Sequence, residues 1–180
     1  MIREKRSGSF IRLKTLPTSY AIAIIARQIT YLCVTVLQAI VIFSIGIWLF
    51  PVLGLPPLHT PHDVVGLFVI TLVIGWAAVS YAMCAGVFAH TEEQANGFGA
   101  ISIVILAALG GLMVPGFAMP ASFQAVINLS PLHWCLEAYN TLFLEDGTLA
   151  GTLGSLVPLL GMIVCMQALA FIGLKRKNLI

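Results

Sequence analysis

His133, Glu137 and Asn140 stand at spacings of four and three within the stretch Pro131 to Leu144. On a helix those spacings place all three on one face. An imidazole, a carboxylate and an amide gathered this way could line a wet path through otherwise apolar protein. A charged glutamate in an apolar setting is costly unless it meets water or a partner. Two uses fit the pattern: the polar face lines the outer end of a pathway, or Glu137 pairs with His133 or with free N–H groups of a neighbouring short helix and holds the turn. The opposite face carries Leu132, Cys135, Leu136, Tyr139 and Phe143, which can pack against other helices.

Other chemistries can be weighed the same way. His59, His62 and Asp63 offer two imidazoles and a carboxylate, a set that could ligate zinc. The competing use is simpler: Asp63 caps the helix that follows and the histidines sit among headgroups. Thr91 and Gln94 match a capping box, with Glu92 and Glu93 where a helix dipole favours negative charge. The sequence has no G-x-x-x-x-G-K-[ST], so it does not hold ATP in a P-loop. It also has no H-E-x-x-H and no G-x-S-x-G. The stretch Phe98 to Ser102 has no histidine or acid partner that would make Ser102 a nucleophile. The seven acidic residues form no close pair inside an apolar segment, which argues against a catalytic dyad and against ion-coupled transport. Cys33, Cys84, Cys135 and Cys165 lie far apart in apolar sequence and read as buried thiols rather than a metal site. No catalytic residue, metal or cofactor is expected.

The elements that must position these residues are set by an unusual composition. Of 180 residues, 59% are hydrophobic and 9% are charged, too few polar groups to cover a protein in water. The solvent must be largely lipid. The nine basic residues all lie between Arg3 and Arg27 or between Lys175 and Lys177. Basic residues that flank spans stay cytoplasmic, which puts both termini on the cytoplasmic side of the cell membrane and makes the number of spans even. Two basic tails on an apolar body do not suit a nucleic-acid partner. The apolar runs predict spans at about 22–50, 64–89, 97–114 and 153–174, each long enough to cross a hydrocarbon core of about 30 Å. Gln28 and Gln38 interrupt the first span and should bond to neighbouring helices. Gly75, Ala78, Ala82 and Gly86 share one face of the second span, a signature of close helix approach in lipid. Residues 119–144 are apolar but broken by Pro120 and Pro131. A helix from Pro131 to Leu144 is about 21 Å long, too short to span comfortably. The segment is therefore expected to be re-entrant: two short helices dipping in from outside, covered by protein. Residues 3–16 read as an amphipathic helix at the cytoplasmic surface, ended by Pro17. The expected fold class is an all-α membrane protein: four transmembrane helices, an outer re-entrant hairpin and an N-terminal amphipathic helix.

Three stretches carry a family resemblance. The first holds Glu4, Ser7, Gly8, Arg12, Leu13 and Pro17 in an E-x-x-S-G-x-x-x-R-L-x-x-x-P pattern. The second is Glu93-Gln94-Ala95-Asn96. The third runs from Gly110-Gly111 and Pro115 through Met119-Pro120 to Leu129-Ser130-Pro131-Leu132 and Glu137-Ala138. Together they resemble the membrane domain of ABC-2 type exporters. The resemblance implies a permease subunit that forms a translocation path and couples to a separate ABC ATPase subunit through residues 3–16. Glu4, Ser7, Gly8 and Arg12 are then the coupling contacts, and a second permease copy or the missing permease half is a partner alongside the lipid bilayer. In the family, further spans precede the E-x-x-S-G segment; here Met1 stands close before Glu4, so the chain is expected to match only the C-terminal part of the fold. The alternative to a permease is a membrane scaffold or permease remnant that transports nothing.

Overall fold

The computed structural model describes residues 20–114, 119–120, 126–145 and 147–176. The coupling segment 3–16, with Glu4, Ser7, Gly8 and Arg12, lies outside the described residues, as does most of the first half of the 119–144 segment. Among the described residues the protein is entirely helical.

Helix α1 (Tyr20–Ser44) passes without a break into a π-helical turn, Ile45–Leu49, and a final turn, Phe50–Val52. A π turn widens the backbone and redirects its carbonyls. Here the Gly46 carbonyl accepts from the Leu58 N–H at 3.1 Å, which folds the following loop back onto the helix. The Leu58 side chain packs where a Cβ on Gly46 would stand, so this position takes only glycine without a shift. Helix α2 (Val64–Phe88) begins at the Asp63 cap. Helix α3 (Glu92–Leu109) follows after one tight turn. Helix α4 (Pro131–Phe143) is short, and α5 (Leu153–Arg176) is long, continuing through Pro158.

Three of these helices are long and apolar enough to cross a membrane: Ile24–Val52, Val64–Phe88 and Leu153–Arg176. The segment expected as the third span at 97–114 is helical over Glu92–Leu109 instead, because the Thr91 cap starts the helix one turn earlier and Gly110 ends it. Its polar first turn leaves it outside that group of three.

The helices run antiparallel. Ile24, Val87, Ala170 and Leu174 meet at the end of the bundle that carries the Thr91 turn. Ile70, Ala138, Leu142 and Leu156 meet at the end that carries Asp63, and Ala77, Leu159 and Ile163 fill the middle. Helices α2 and α5 form the most extensive pairing. The Gly173 position shows how close they come: a Cβ there would stand 2.8 Å from Val87 Cγ1. Lipid is as apolar as leucine, so packing and hydrogen bonds, not burial, must hold such helices together. Two polar ties do this between long helices. Gln28 Nε2 of α1 donates to Gln167 Oε1 of α5 at 2.8 Å, and Gln167 Nε2 donates to Ser80 Oγ of α2 at 3.2 Å. The amide at Gln28 thus bonds to a neighbouring helix, as its place in an apolar span required. Nearer the Asp63 end, Thr71 Oγ1 gives its hydrogen to the Leu67 carbonyl at 2.8 Å, so the Tyr139 hydroxyl is the donor in their 3.1 Å contact.

Candidate functional site

Helix α4 is where the sequence placed its polar face. Pro131 occupies the first turn, where its missing N–H costs nothing. Ser130 precedes it, but its side chain does not cap α4. Its Oγ instead donates to the Leu106 carbonyl of α3 at 2.7 Å, the same carbonyl that closes α3 by accepting from the Gly110 N–H at 2.8 Å. Gly110 makes this joint possible: a Cβ there would lie 2.8 Å from Leu106 O, 2.8 Å from Ser130 Oγ and 3.0 Å from His133 N. Gly111 then turns the chain at φ 87°, a conformation that suits glycine. The Gly-Gly pair therefore serves two purposes, close approach at the first residue and a left-handed turn at the second.

On α4, His133 Nε2 lies 3.3 Å from Glu137 Oε2. Glu137 is 48% exposed and His133 24%, so this is a pair at the surface of the bundle. Asn140 sits one turn further along, half-buried, and its carbonyl accepts from the Leu144 N–H at 2.8 Å to close the helix. The packing face is broader than its sequence pattern indicated. Ala138 and Leu142 are fully buried, Trp134 and Cys135 pack on the middle core, and Tyr139 and Phe143 pack on the core at the Asp63 end. Phe43 of α1 stacks on Phe143 at 5.9 Å between ring centres.

Asp63 caps α2 through Oδ1, which accepts from the Gly66 N–H at 2.7 Å. Its other oxygen accepts from the Leu149 N–H at 2.8 Å, tying the start of α2 to the loop before α5. These two N–H groups, Gly66 first, hold the carboxyl below its ordinary value. His59 and His62 are exposed, and among the described residues no three His, Cys, Asp or Glu side chains gather closely enough to hold a metal. At the opposite end, Thr91 Oγ1 accepts from the Gln94 N–H at 3.1 Å while Gln94 Oε1 accepts from the His90 N–H at 2.9 Å, a reciprocal cap displaced by one residue from the usual box. Arg27 and Glu92 line one cleft of about 500 Å³ at this end, between α1, α2 and α3.

The small-residue face of α2 divides. Gly75 is buried against α1, where a Cβ would stand 2.9 Å from Thr35 Cγ2. Around Gly86 nothing lies within 4 Å of an added Cβ, and Ala78 and Ala82 are exposed.

Residues 1–144, most of the chain, match the ABC-2 type transporter family. The chain belongs to that family. It is a multi-pass membrane protein of the permease kind, with helices to match. Two curated relatives, from Escherichia coli strain K12 and from Escherichia coli O157:H7, carry the name "Probable multidrug ABC transporter permease YbhR". Each is 25% identical over 178 residues, which is 97% of this chain and 46% of that relative. The chain thus spans about half the length of the curated relatives it matches. No solved structure matches it.

Proposed function

We propose that this chain is the permease module of an ATP-driven exporter, with ATP hydrolysed on a separate subunit and a second permease copy or a complementary half beside it. What carries the proposal is membership of a transporter family by a bundle whose described basic residues, Arg27, Lys175 and Arg176, all stand at the Thr91 end. That end is then cytoplasmic. Helix α3, at about 27 Å, serves as a fourth span, with Glu92 and Glu93 in the headgroup layer. Helix α4, at about 20 Å, is re-entrant from outside. Residues 3–16 take the ATPase contact through Glu4, Ser7, Gly8 and Arg12, and ATP must favour one permease state over the other for work to be done. The polar face of His133, Glu137 and Asn140 lines the outer end of the path. The relatives' name makes an organic drug-like cargo the first to test.

Two measurements test this. Reporter fusions after Leu55, Gln94, Asp146 and Ile180 should read outside, inside, outside, inside; an external signal at Ile180 defeats the topology. Inverted vesicles holding the chain with its ATPase should accumulate an uncharged fluorescent drug-like dye when ATP is added, and the charge reversals Glu4→Lys and Arg12→Glu together should stop accumulation while ATP hydrolysis continues. Accumulation unaffected by the double reversal would refute the coupling role.

A further inference from the structure

Between α2, α3 and α5 lies a half-open cleft of about 680 Å³ that belongs to none of the features above. Its size is that of a drug-sized pocket, about 300–1,000 Å³. Phe88 and Phe98 line it near the Thr91 end, Ala85 and Leu169 line it too, and no charged side chain among the described residues does. Two hydroxyls do. Tyr81 of α2 and Ser102 of α3 are hydrogen-bonded to each other across the cleft.

The direction of that bond decides what the cleft offers. A serine has one hydrogen to give. Ser102 Oγ lies 2.6 Å from the Phe98 carbonyl and 3.0 Å from the Gly99 carbonyl, so its hydrogen is spent on its own helix. The Tyr81 hydroxyl must therefore be the donor to Ser102. Its hydrogen is committed, and its oxygen keeps acceptor capacity. The Gln94 side-chain oxygen is committed to the His90 N–H, which leaves the Gln94 amide N–H groups as donors near the Thr91 end of the cleft. Beside the Tyr81–Ser102 pair, then, apolar and aromatic walls surround a hydroxyl oxygen that accepts but does not donate, which suits an apolar molecule with a donor at that level. We propose that the cleft binds an uncharged, flat, apolar organic compound carrying one N–H or O–H donor. A lipid acyl chain shares the apolar chemistry but brings no donor. This deepens the permease reading, on which passage of the compound rests, by naming the class of cargo.

The probe is N-phenyl-1-naphthylamine, uncharged and fluorescent in apolar surroundings, with one N–H. Its N-methyl analogue has none. Titrated into the full chain in lipid nanodiscs, with empty nanodiscs subtracted, the amine should give a saturable signal. Tyr81→Phe keeps the ring and removes the acceptor. It should weaken the amine about fivefold, the size of one neutral hydrogen bond, and leave the N-methyl analogue unchanged. Ala85→Phe fills the cleft and should abolish saturable binding of both. An equal effect of Tyr81→Phe on the two probes would mean a merely structural tie between α2 and α3 and would overturn the proposal. So would wild-type binding in Ala85→Phe, or no saturable signal above empty nanodiscs, the result expected of a cleft filled by acyl chains. If Ala85→Phe fails to fold, the paired Tyr81→Phe titrations decide alone. Saturable binding without ATP-driven export leaves this site standing and sinks the exporter; export without saturable binding does the reverse.

Discussion

The joint between α3 and α4 makes a sharp prediction about two glycines. At Gly110 an added methyl group would meet three atoms at 3.0 Å or less, two of them backbone atoms that cannot swing away. Ordinary contact needs several tenths of an ångström more, so α4 must back away from α3. Overpacking of this kind costs about 1–3 kcal/mol. The retreat also stretches the 2.7 Å bond from Ser130 to Leu106, whose loss costs about 0.5–1.5 kcal/mol. Gly110→Ala should therefore destabilise the protein by about 2–4 kcal/mol. At Gly86, inside α2, a methyl meets nothing within 4 Å. Alanine is the better helix residue, so Gly86→Ala should be neutral or stabilise by about 0.5–1 kcal/mol.

Unfolding of the purified protein in mixed micelles with rising dodecyl sulfate, followed by tryptophan fluorescence, reads both. The coupling between neighbours gives a second check. Ser130→Ala removes one of the atoms that Gly110→Ala would strike, and the bond it breaks is one the glycine change already disturbs. The double variant should cost less than the two single changes together, by about 1 kcal/mol. If Gly110→Ala is as harmless as Gly86→Ala, or if the double variant is additive, the close approach of α4 to α3 is wrong.

Gln167 holds both amide bonds of the inner tie, so Gln167→Leu should cost about 1 kcal/mol in the same assay, near the sum of two interhelical bonds in lipid, and Gln28→Leu about half as much; no loss from Gln167→Leu would discount the tie. Asp63 has a folded-state value below its ordinary 3.8, so its contribution is present in full above about pH 5 and fades as the pH falls through 3.8 and below. Thermal scans from pH 7 to pH 3 should show the wild type losing an acid-sensitive stabilisation that Asp63→Asn lacks throughout, and parallel curves would refute it. The His133–Glu137 pair is half exposed and worth little, so Glu137→Gln should leave folded yield intact, while changing the rate of ATP-driven dye transport if the polar face lines the path. Normal transport would remove Glu137 from it.

Much of this was legible in the sequence because lipid imposes simple rules. Three long apolar runs became three long helices within a few residues, and Pro131, Asp63 and Thr91 started helices where their side chains allow. The capping box at Thr91 and Gln94 marked the start of α3 at Glu92, while the apolar run from Gly97 marked only the part of it expected to lie in the membrane. What sequence could not give was which distant partner each polar residue meets. Asp63 and Leu149, or Gln28 and Gln167, become neighbours only when the spans pack. On α4, spacing gave the polar face but missed Trp134, Ala138 and Leu142, since the helix is wedged against two cores rather than one. The Tyr81–Ser102 pair was missed because Ser102 was weighed only as a nucleophile. A signal existed: the two hydroxyls lie at nearly equal sequence distances on either side of the Thr91 turn, which an antiparallel helix pair brings level.

The helices differ in how they are held, and this bears on what can move. Helix α2 buries ten residues against its neighbours. Helix α3 has none buried. It is attached instead at points: the Thr91 turn at one end, the Tyr81–Ser102 hydroxyls midway, and the Ser130 bond with the Gly110 contact at the other. Clefts of about 680 and 430 Å³ open beside the α2–α3 pair. Packed helices resist displacement because every shift forfeits many contacts at once. A helix held by a few hydrogen bonds, with space beside it, can tilt by exchanging those bonds while its backbone stays paired within itself. The geometry gives α2 and α5 the rigid part, with the amide tie to α1 across them. It leaves α3 more lightly held, as it does α1, which has no buried side chain among those described over residues 20–44.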